Sequence, residues 1–412
     1  GTLRNGQVAS SVHRPEAMAL DESQGEGRAP RPRSSTHPWV LYVDLDAYYV
    51  ACELRSRPDL VGRPVIVGPP PTAGPTRGVV LSASYEARAF GVHSAQPAAA
   101  AARLCPAAVW IPPDHEKYAR VSEEVRALLS LFSPDLLALS IDEAALRLEL
   151  GTAAEARQVA ERIQAALRSE LSLPASIGVA TTRAVAKIAT DRAKPGGILV
   201  VPEGTEATFL APLAVRAIPG VGPKTEELLR AAGVTTIGDL AARRPSDLAR
   251  YVGGFARDLV RLARGEGEDP VETETGPRSR STDRTFARDV DRWEEIEPAV
   301  RELAADLARS LEKEGLRYAT VGVAFRWSDF SRSQRSRSLG AAHEGTGSID
   351  ASAVRLAREL WEGERAGRRR AVRTLSVKTE RLSERRQRQV SLDEFGPRGS
   401  PVGGTYEPVR TP

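Results

Sequence analysis

A multidomain α+β architecture is predicted by three observations. The chain has 412 residues, and at roughly 100–200 residues per domain this allows two to four domains. Hydrophobic residues make up 41% and charged residues 27%, ordinary globular usage that can bury cores. Strand-like runs interleave with helix-period segments twice, from about 114 to 201 and from 281 to 382, on either side of an all-helical stretch at 203–268.

The first 37 residues carry Arg, Ser, Pro and Gly without apolar periodicity and read as a disordered extension. Residues 1–17 precede Met18, the only methionine, and are set aside. Order starts at Pro38-Trp-Val-Leu-Tyr-Val-Asp44, a strand whose apolar run ends at carboxylates, and a helix over 48–57 follows. Between 63 and 113, short apolar runs are broken by the prolines at 69–71, with an alanine-rich helix near 97–104: a small, loop-rich insertion. The pattern then runs helix 115–132, strand pair 136–149, helix 154–171, strand 174–180, helix 183–193 and strand 197–201. In the helix at 154–171, Ala156, Val159, Ala160, Ile163, Leu167 and Leu171 recur every three or four residues, one face of a helix. Laid on an antiparallel sheet, this order makes a split βαβ unit.

Residues 203–268 are helices and turns, with Ile218-Pro-Gly-Val-Gly-Pro-Lys-Thr-Glu226 between helices. A linker rich in Gly, Glu, Asp and Pro follows. The last unit reads strand, helix 293–314, strand 318–327, strand 332–340, helix 350–362 and strand 371–380, a βαββαβ order. Val321, Val323, Phe325 and Trp327 alternate strictly, so one face of their strand is buried and the other is free for a ligand.

Several function classes are excluded. No apolar run approaches the roughly 18–20 residues of a membrane span, and the first residues lack the basic start and apolar middle of a secretory signal. A cytoplasmic protein without membrane partners is expected. Two cysteines, Cys52 and Cys105, are too few for a disulfide framework or a four-thiolate zinc site. The net charge of +4 is too small to imply nucleic acid by itself, but its distribution is uneven. Between 326 and 388 stand 16 basic against 8 acidic residues, a local +8, which leaves −4 for the rest. Only six of the 58 basic residues are lysine. Arginine's planar fork suits phosphate, and a GC-rich genome would produce the same bias.

Val43-Asp44-Leu45-Asp46 places an acidic pair at the end of a buried strand, a pattern that a turn or cap would also give. Ser140-Ile-Asp142-Glu143-Ala144 adds two consecutive carboxylates between apolar strands. Adjacent strand residues point to opposite faces, so this pair is costly unless a bend turns both toward one cation. Three carboxylates from two neighbouring strands suit a pair of Mg²⁺ ions, which take few carboxylates plus substrate phosphate oxygens.

These residues resemble a Y-family translesion DNA polymerase of the DinB, or DNA polymerase IV, branch. The resemblance is carried, in order, by Trp39-Val-Leu-Tyr-Val-Asp-Leu-Asp-Ala-Tyr-Tyr-Val-Ala-Cys-Glu53, Ser84-Tyr-Glu-Ala-Arg-Ala-Phe-Gly-Val-His-Ser94, Ser140-Ile-Asp-Glu-Ala144, Ser176-Ile-Gly-Val-Ala180 and Ala186-Lys-Ile-Ala-Thr-Asp-Arg-Ala-Lys-Pro-Gly-Gly197. It spans about 38–382.

The resemblance implies a right-hand polymerase. Its parts are a ferredoxin-like palm (38–47 and 113–202), small fingers (48–112), a helical thumb (203–268), a linker (269–280), a little finger (281–388) and a disordered tail (389–412). It implies that Asp44, Asp142 and Glu143 hold two Mg²⁺ ions with the Leu45 carbonyl, and that Asp46 is not a direct ligand. Tyr49 matches the steric gate that excludes a ribose 2′-hydroxyl. The Tyr48 and Tyr49 amides, Ser82, Tyr85, Arg88 and Lys194 match the clamp on the dNTP triphosphate, whose negative charge beside three carboxylates demands metals and cations.

Two departures stand beside the metals: Ala145 and Arg147 replace an aromatic and an acid, an expected change in local packing. Val79 and Leu81 stand over the nascent base pair, where some relatives carry alanine.

Primer–template DNA is expected to meet backbone amides of the hairpin around Gly220, Gly222 and Lys224, a sequence-independent phosphate site. It is also expected to meet the little-finger arginines Arg326, Arg332, Arg335, Arg337 and Arg369, strand-borne or beside the last strand and unbalanced by nearby acids. In the tail, Gln389, Leu392 and Phe395 have the spacing of a sliding-clamp peptide. The activity implied is template-directed addition of dNTP to a primer 3′-hydroxyl with low fidelity, by a monomeric, nucleoid-associated enzyme. Two other classes compete. A non-catalytic DNA-binding scaffold at the replication clamp predicts eroded carboxylates, and all three are present. A nucleotide cyclase on a similar palm leaves the DNA-binding half unused.

Overall fold

The computed structural model describes residues 37–70, 77–267, 278–343, 346–365 and 370–384. The N-terminal extension, the linker residues 268–277, Arg369 and the clamp-like Gln389, Leu392 and Phe395 lie outside the described residues.

In chain order the elements are β1 (His37–Leu45), α1 (Tyr48–Leu54), β2 (Val65–Val67), β3 (Ser82–Ala83), α2 (Tyr85–Arg88), α3 (Ala98–Leu104), β4 (Val109–Ile111) and α4 (His115–Ser130). Then follow β5 (Leu136–Ala138), β6 (Glu143–Leu150), α5 (Ala153–Leu171), β7 (Ala175–Ala180), α6 (Arg183–Ala193) and β8 (Ile198–Val200). Five short helices come next: α7 (Glu206–Leu210), α8 (Pro223–Ala231), α9 (Ile237–Ala241), α10 (Pro245–Val252) and α11 (Phe255–Ala263). The last unit holds β9 (Ser279–Val290), α12 (Trp293–Lys313), β10 (Leu316–Trp327), β11 (Arg332–His343), α13 (Thr346–Arg365), β12 (Val372–Glu380) and β13 (Ser383–Glu384).

The first sheet has the order β5-β6-β1-β7-β8. β1 is central and antiparallel to both β6 and β7, whereas β8 joins β7 in parallel, a departure from the fully antiparallel sheet expected. One face carries Leu41, Val43, Leu146 and Ile177 into a core shared with α4 and α5. The other carries Val40, Tyr42 and Ala145 into a core continuous with α6 and with α7–α11. Asp44 continues the second face, because it follows Val40 and Tyr42 at the two-residue period.

The approach of α6 to the sheet depends on Gly178. A Cβ there would lie 2.0 Å from the Ala186 carbonyl oxygen and 2.3 Å from the Thr190 nitrogen. The Gly178 N–H donates to Thr190 Oγ1 at 2.9 Å, and that hydroxyl donates in turn toward the carbonyls of Tyr42 and Ala186.

The insertion after α1 forms a small sheet, β3-β2-β4, over its own core of Ile66, Val80, Ala83 and Val92. The last unit is an antiparallel sheet, β11-β10-β12-β9, with α12 and α13 packed on one face. Val321, Val323, Phe325 and Trp327 line that face as their alternation requires. The opposite face of β10 is not free: Thr320 and Ala324 are buried, leaving Arg326 exposed. No described helix is long and apolar enough to cross a membrane.

Candidate active site

β1 ends where the chain must turn. Ala47 adopts φ 46°, a left-handed conformation costing a non-glycine residue on the order of 1 kcal/mol, and it starts α1. Tyr48 and Tyr49 open that helix, so their N–H groups have no partner within it. Asp44 stands opposite Glu143 across the β1–β6 ladder, and the Leu45 amide donates to the Asp142 carbonyl at 3.0 Å. Asp142 lies in the β5–β6 turn and Glu143 is the first residue of β6, so the chain bends between the two carboxylates.

An open cleft of about 480 Å³ gathers these residues. It is lined by Asp44, Leu45, Tyr48, Tyr49, Ser82, Tyr85, Arg88, Asp142, Glu143 and Lys194, every residue expected at the metal and nucleotide sites, and also by Asp46. Leu81 lines it too, whereas Val79 is 41% exposed outside it and bridges to Pro97. Ala145 and Arg147 do not line the cleft: Ala145 is fully buried beside Tyr42, and Arg147 reaches Glu149 at 3.6 Å. The substitutions expected beside the metals therefore fall in the sheet and along its surface.

The carboxylates are partnered. Lys194 Nζ lies 2.6 Å from Asp44 Oδ2, and Lys187 Nζ lies 2.6 Å from Glu143 Oε1. Burial pushes the Asp44 carboxyl up to about 7 despite the opposing Lys194. Burial would also raise Glu143, but bonds from Lys187, Asp44 and Tyr42 hold it below the usual carboxylate range. Both lysines are held charged by these carboxylates against the pull of burial.

Asp142 accepts from Ser140 Oγ at 2.6 Å through one carboxylate oxygen. Among the described residues no three His, Cys, Asp or Glu side chains are gathered closely enough to hold an ion. The donors nevertheless fit a hard divalent cation: they are oxygens, and lysine ammoniums now supply the positive charge beside them.

Asp46 is occupied otherwise. Its oxygens accept from Ser176 Oγ at 3.0 Å, the Gly196 N–H at 2.8 Å and the Tyr85 hydroxyl at 3.1 Å. A buried carboxylate with three donors is a structural tie between β1, β7 and the loop after α6.

Tyr49 stacks on Tyr118 with ring centroids 4.3 Å apart and planes 14° apart, and His115 meets it edge-on at 6.0 Å. The Tyr118 hydroxyl donates to Glu53 Oε1 at 2.8 Å. Arg88 lies 4.6 Å over the Tyr85 ring and its Nε donates to the Ala83 carbonyl at 3.0 Å.

Lys187, Tyr118 and His115 were not among the residues expected at the site. Lys187 had a signal, since it lies two helical turns before Lys194.

Gly220, with φ 89°, and Gly222, which caps α8, stand in the hairpin as expected, with Lys224 exposed in the first turn. The element before it is a single 3₁₀ turn, Val215–Ala217, rather than an α-helix.

The arginines of the last sheet do not form one set. Arg326 and Arg332 are cross-strand partners on the open face, but Arg335 and Arg337 face Val323 and Val321 and so lie on the helix side. Arg335 pairs with Glu359 of α13 at 3.4 Å, and Arg370 and Arg373 face Asp329 and Asp289, so this region is not unbalanced by acids. The period of two separates positions that the sequence shows as one basic run.

Three family models match the chain: the impB/mucB/samB family over residues 43–191, its helix-hairpin-helix motif over 203–234 and its C-terminal domain over 277–392. A DNA polymerase IV of Methanoculleus marisnigri is 40% identical over 86% of this chain and 98% of its own length. The chain belongs to the impB/mucB/samB family, in its DNA polymerase IV branch. A DNA polymerase IV of Dehalococcoides mccartyi (strain CBDB1) is 38% identical over 82% of this chain and 85% of its own. Among solved structures, a Y-family polymerase chimera of Dbh and Dpo4 is similar with a TM-score of 0.74 at 24% identity, over 84% of this chain and 99% of the chimera. DinB of Sulfolobus solfataricus has a TM-score of 0.56 at 23% identity over 84% and 99%. These two likenesses show the shared Y-family fold.

Proposed function

We infer that this chain is a template-directed DNA polymerase of the translesion class, adding dNTPs to a primer 3′-hydroxyl and releasing pyrophosphate. The observation that carries this is one cleft joining Asp44 and Glu143, at adjacent ends of β1 and β6, to Tyr49, Arg88 and Lys194.

Asp44, Asp142, Glu143 and the Leu45 carbonyl would hold divalent metal, best two Mg²⁺ ions, which would supply activation of the attacking hydroxyl and stabilisation of the leaving oxygen. Arg88 and Lys194, with Ser82, Tyr85 and the amides of Tyr48 and Tyr49, orient the triphosphate and offset its charge. Triphosphate would draw Lys194 from Asp44 and leave that carboxylate for the metal. Tyr49, fixed by Tyr118 and His115, presents its ring beneath the sugar and excludes a 2′-hydroxyl.

We assign β1 and α4–β8 to the palm, α1–β4 to the fingers, α7–α11 to the thumb and β9–β13 to the little finger. The hairpin of Gly220, Gly222 and Lys224 and the open sheet face with Arg326 and Arg332 take the duplex backbone. Gln389, Leu392 and Phe395 would dock a sliding clamp on a protein acting as a monomer, cytoplasmic and nucleoid-associated. Primer extension with Mg²⁺ tests the reading: wild type should extend and Asp142→Ala should not, and equal extension by both defeats it.

A further inference from the structure

Phe330 is a large apolar side chain held where folding does not need it. It is 60% exposed at the tip of the β10–β11 turn, with φ 64°. The turn is closed by its own bonds: the Trp327 and Phe330 amides donate to the carbonyls of Ser331 and Trp327 at 2.9 Å, and Asp329 accepts from the Ser331 amide at 2.9 Å. The closure places residue 330 in the left-handed region but does not call for an aromatic side chain there, so the ring is displayed at a cost.

Cations surround it. The Arg373 guanidinium lies 4.3 Å from the ring centroid and that of Arg326 lies 5.7 Å away. Arg373 is anchored by Asp289, its Nε 3.2 Å from Oδ1. Asp289 also receives Arg77 of the fingers at 2.9 Å, and Arg77 donates to the Phe286 carbonyl at 2.9 Å. Arg77 is four residues before Leu81, which lines the cleft, so their Cα atoms are at most about 14 Å apart. A chain of contacts thus runs from Arg77 through Asp289 and Arg373 to the ring.

We propose that Phe330, flanked by Arg326 and Arg373, is a stacking platform for an unpaired base of the template strand, at the junction where Arg77 ties the fingers to the little finger. This rests on the polymerase reading, which supplies a single strand ahead of the nascent pair. An aromatic face accepts any base, and guanidiniums beside it neutralise the flanking phosphates, the combination used to hold single strands without sequence preference. Duplex has no unstacked base to offer, so the site separates the overhang from the paired region.

The test compares the affinity of the full chain for a fluorescent primer–template with a long 5′ template overhang and for the same duplex with blunt ends. Phe330→Ala should lose on the order of tenfold in affinity for the overhang substrate and little for the blunt one. Phe330→Gly, which suits the turn's positive φ, should lose the same increment with the fold intact by thermal melting. Phe330→Trp should keep it. The proposal is overturned if Phe330→Gly retains the wild-type overhang increment, if Phe330→Trp loses it, or if blunt and overhang affinities fall together. An absent increment in a wild type that still extends primers overturns this proposal and leaves the polymerase reading standing.

Discussion

The cleft and the little-finger sheet hold charge in opposite ways. In the cleft each buried carboxylate has named donors: Lys194 for Asp44, Lys187 for Glu143, and Ser176, Tyr85 and the Gly196 amide for Asp46. On the little-finger sheet the pairs of Arg335 with Glu359 and of Lys378 with Glu380 are exposed. The difference follows from solvent. A buried charge without a partner costs several kcal/mol, so the cleft is built to one geometry, whereas an exposed pair contributes about 0–1 kcal/mol and leaves its members free to exchange partners. The cleft thus suits the proposed chemistry, and the sheet the proposed grip on a phosphate backbone in any register.

The comparison can be broken at its foundation, the packing of α6 that brings both lysines to the carboxylates. Gly178→Ala should destabilise the fold by about 3 kcal/mol or more, because the new methyl meets backbone on α6; a melting temperature equal to wild type would show that the close approach is dispensable. Tyr49→Ala should lower discrimination against ribonucleotides by about 10²-fold with the fold unchanged. Steady-state incorporation of dNTP and rNTP checks this, and unchanged discrimination would remove Tyr49 from the sugar site.

A smaller effect comes from pH. Without metal the Asp44 carboxyl keeps its proton up to about 7, and a metal needs it ionised. Apparent metal affinity should therefore fall as pH drops below about 7, by up to about tenfold per unit. The sign for stability is opposite: a raised carboxyl favours the metal-free fold below its ordinary value, and that contribution is lost as pH rises through about 7. Calorimetric metal titrations across this range check it, and pH-independent affinity contradicts it. The smallest effect separates the two faces of the sheet. Arg326→Ser should lower the salt slope of DNA binding by about one, and Arg335→Ser, whose partner is Glu359, should change it less; equal slopes would rejoin the faces.

Much of the cleft was legible because its residues are contiguous in sequence. Asp44 to Tyr49 and Ser140 to Glu143 are single runs, and the amphipathic period placed α5 and α6 within a residue of where they stand. What was not legible needed a second strand or a turn in three dimensions. Arg326, Arg332, Arg335 and Arg337 look alike in one basic run, and only the β10–β11 register divides them. The parallel attachment of β8 follows from the helix α6 that joins it to β7, a crossover that the strand–helix–strand order contains but the alternation of apolar residues does not report. Tyr118 and His115 stand on α4, and their role beside Tyr49 arises from a contact about 70 residues distant.

The division of labour itself is tested by measuring DNA affinity and single-turnover extension at saturating DNA for two variants side by side. Asp142→Ala should bind primer–template as wild type does and lose extension by on the order of 10³-fold or more. Arg326→Ser with Arg332→Ser should bind weakly and extend at the wild-type rate once saturated. A sheet variant that stays slow at saturation, or an Asp142→Ala enzyme that extends at the wild-type rate, would contradict the account.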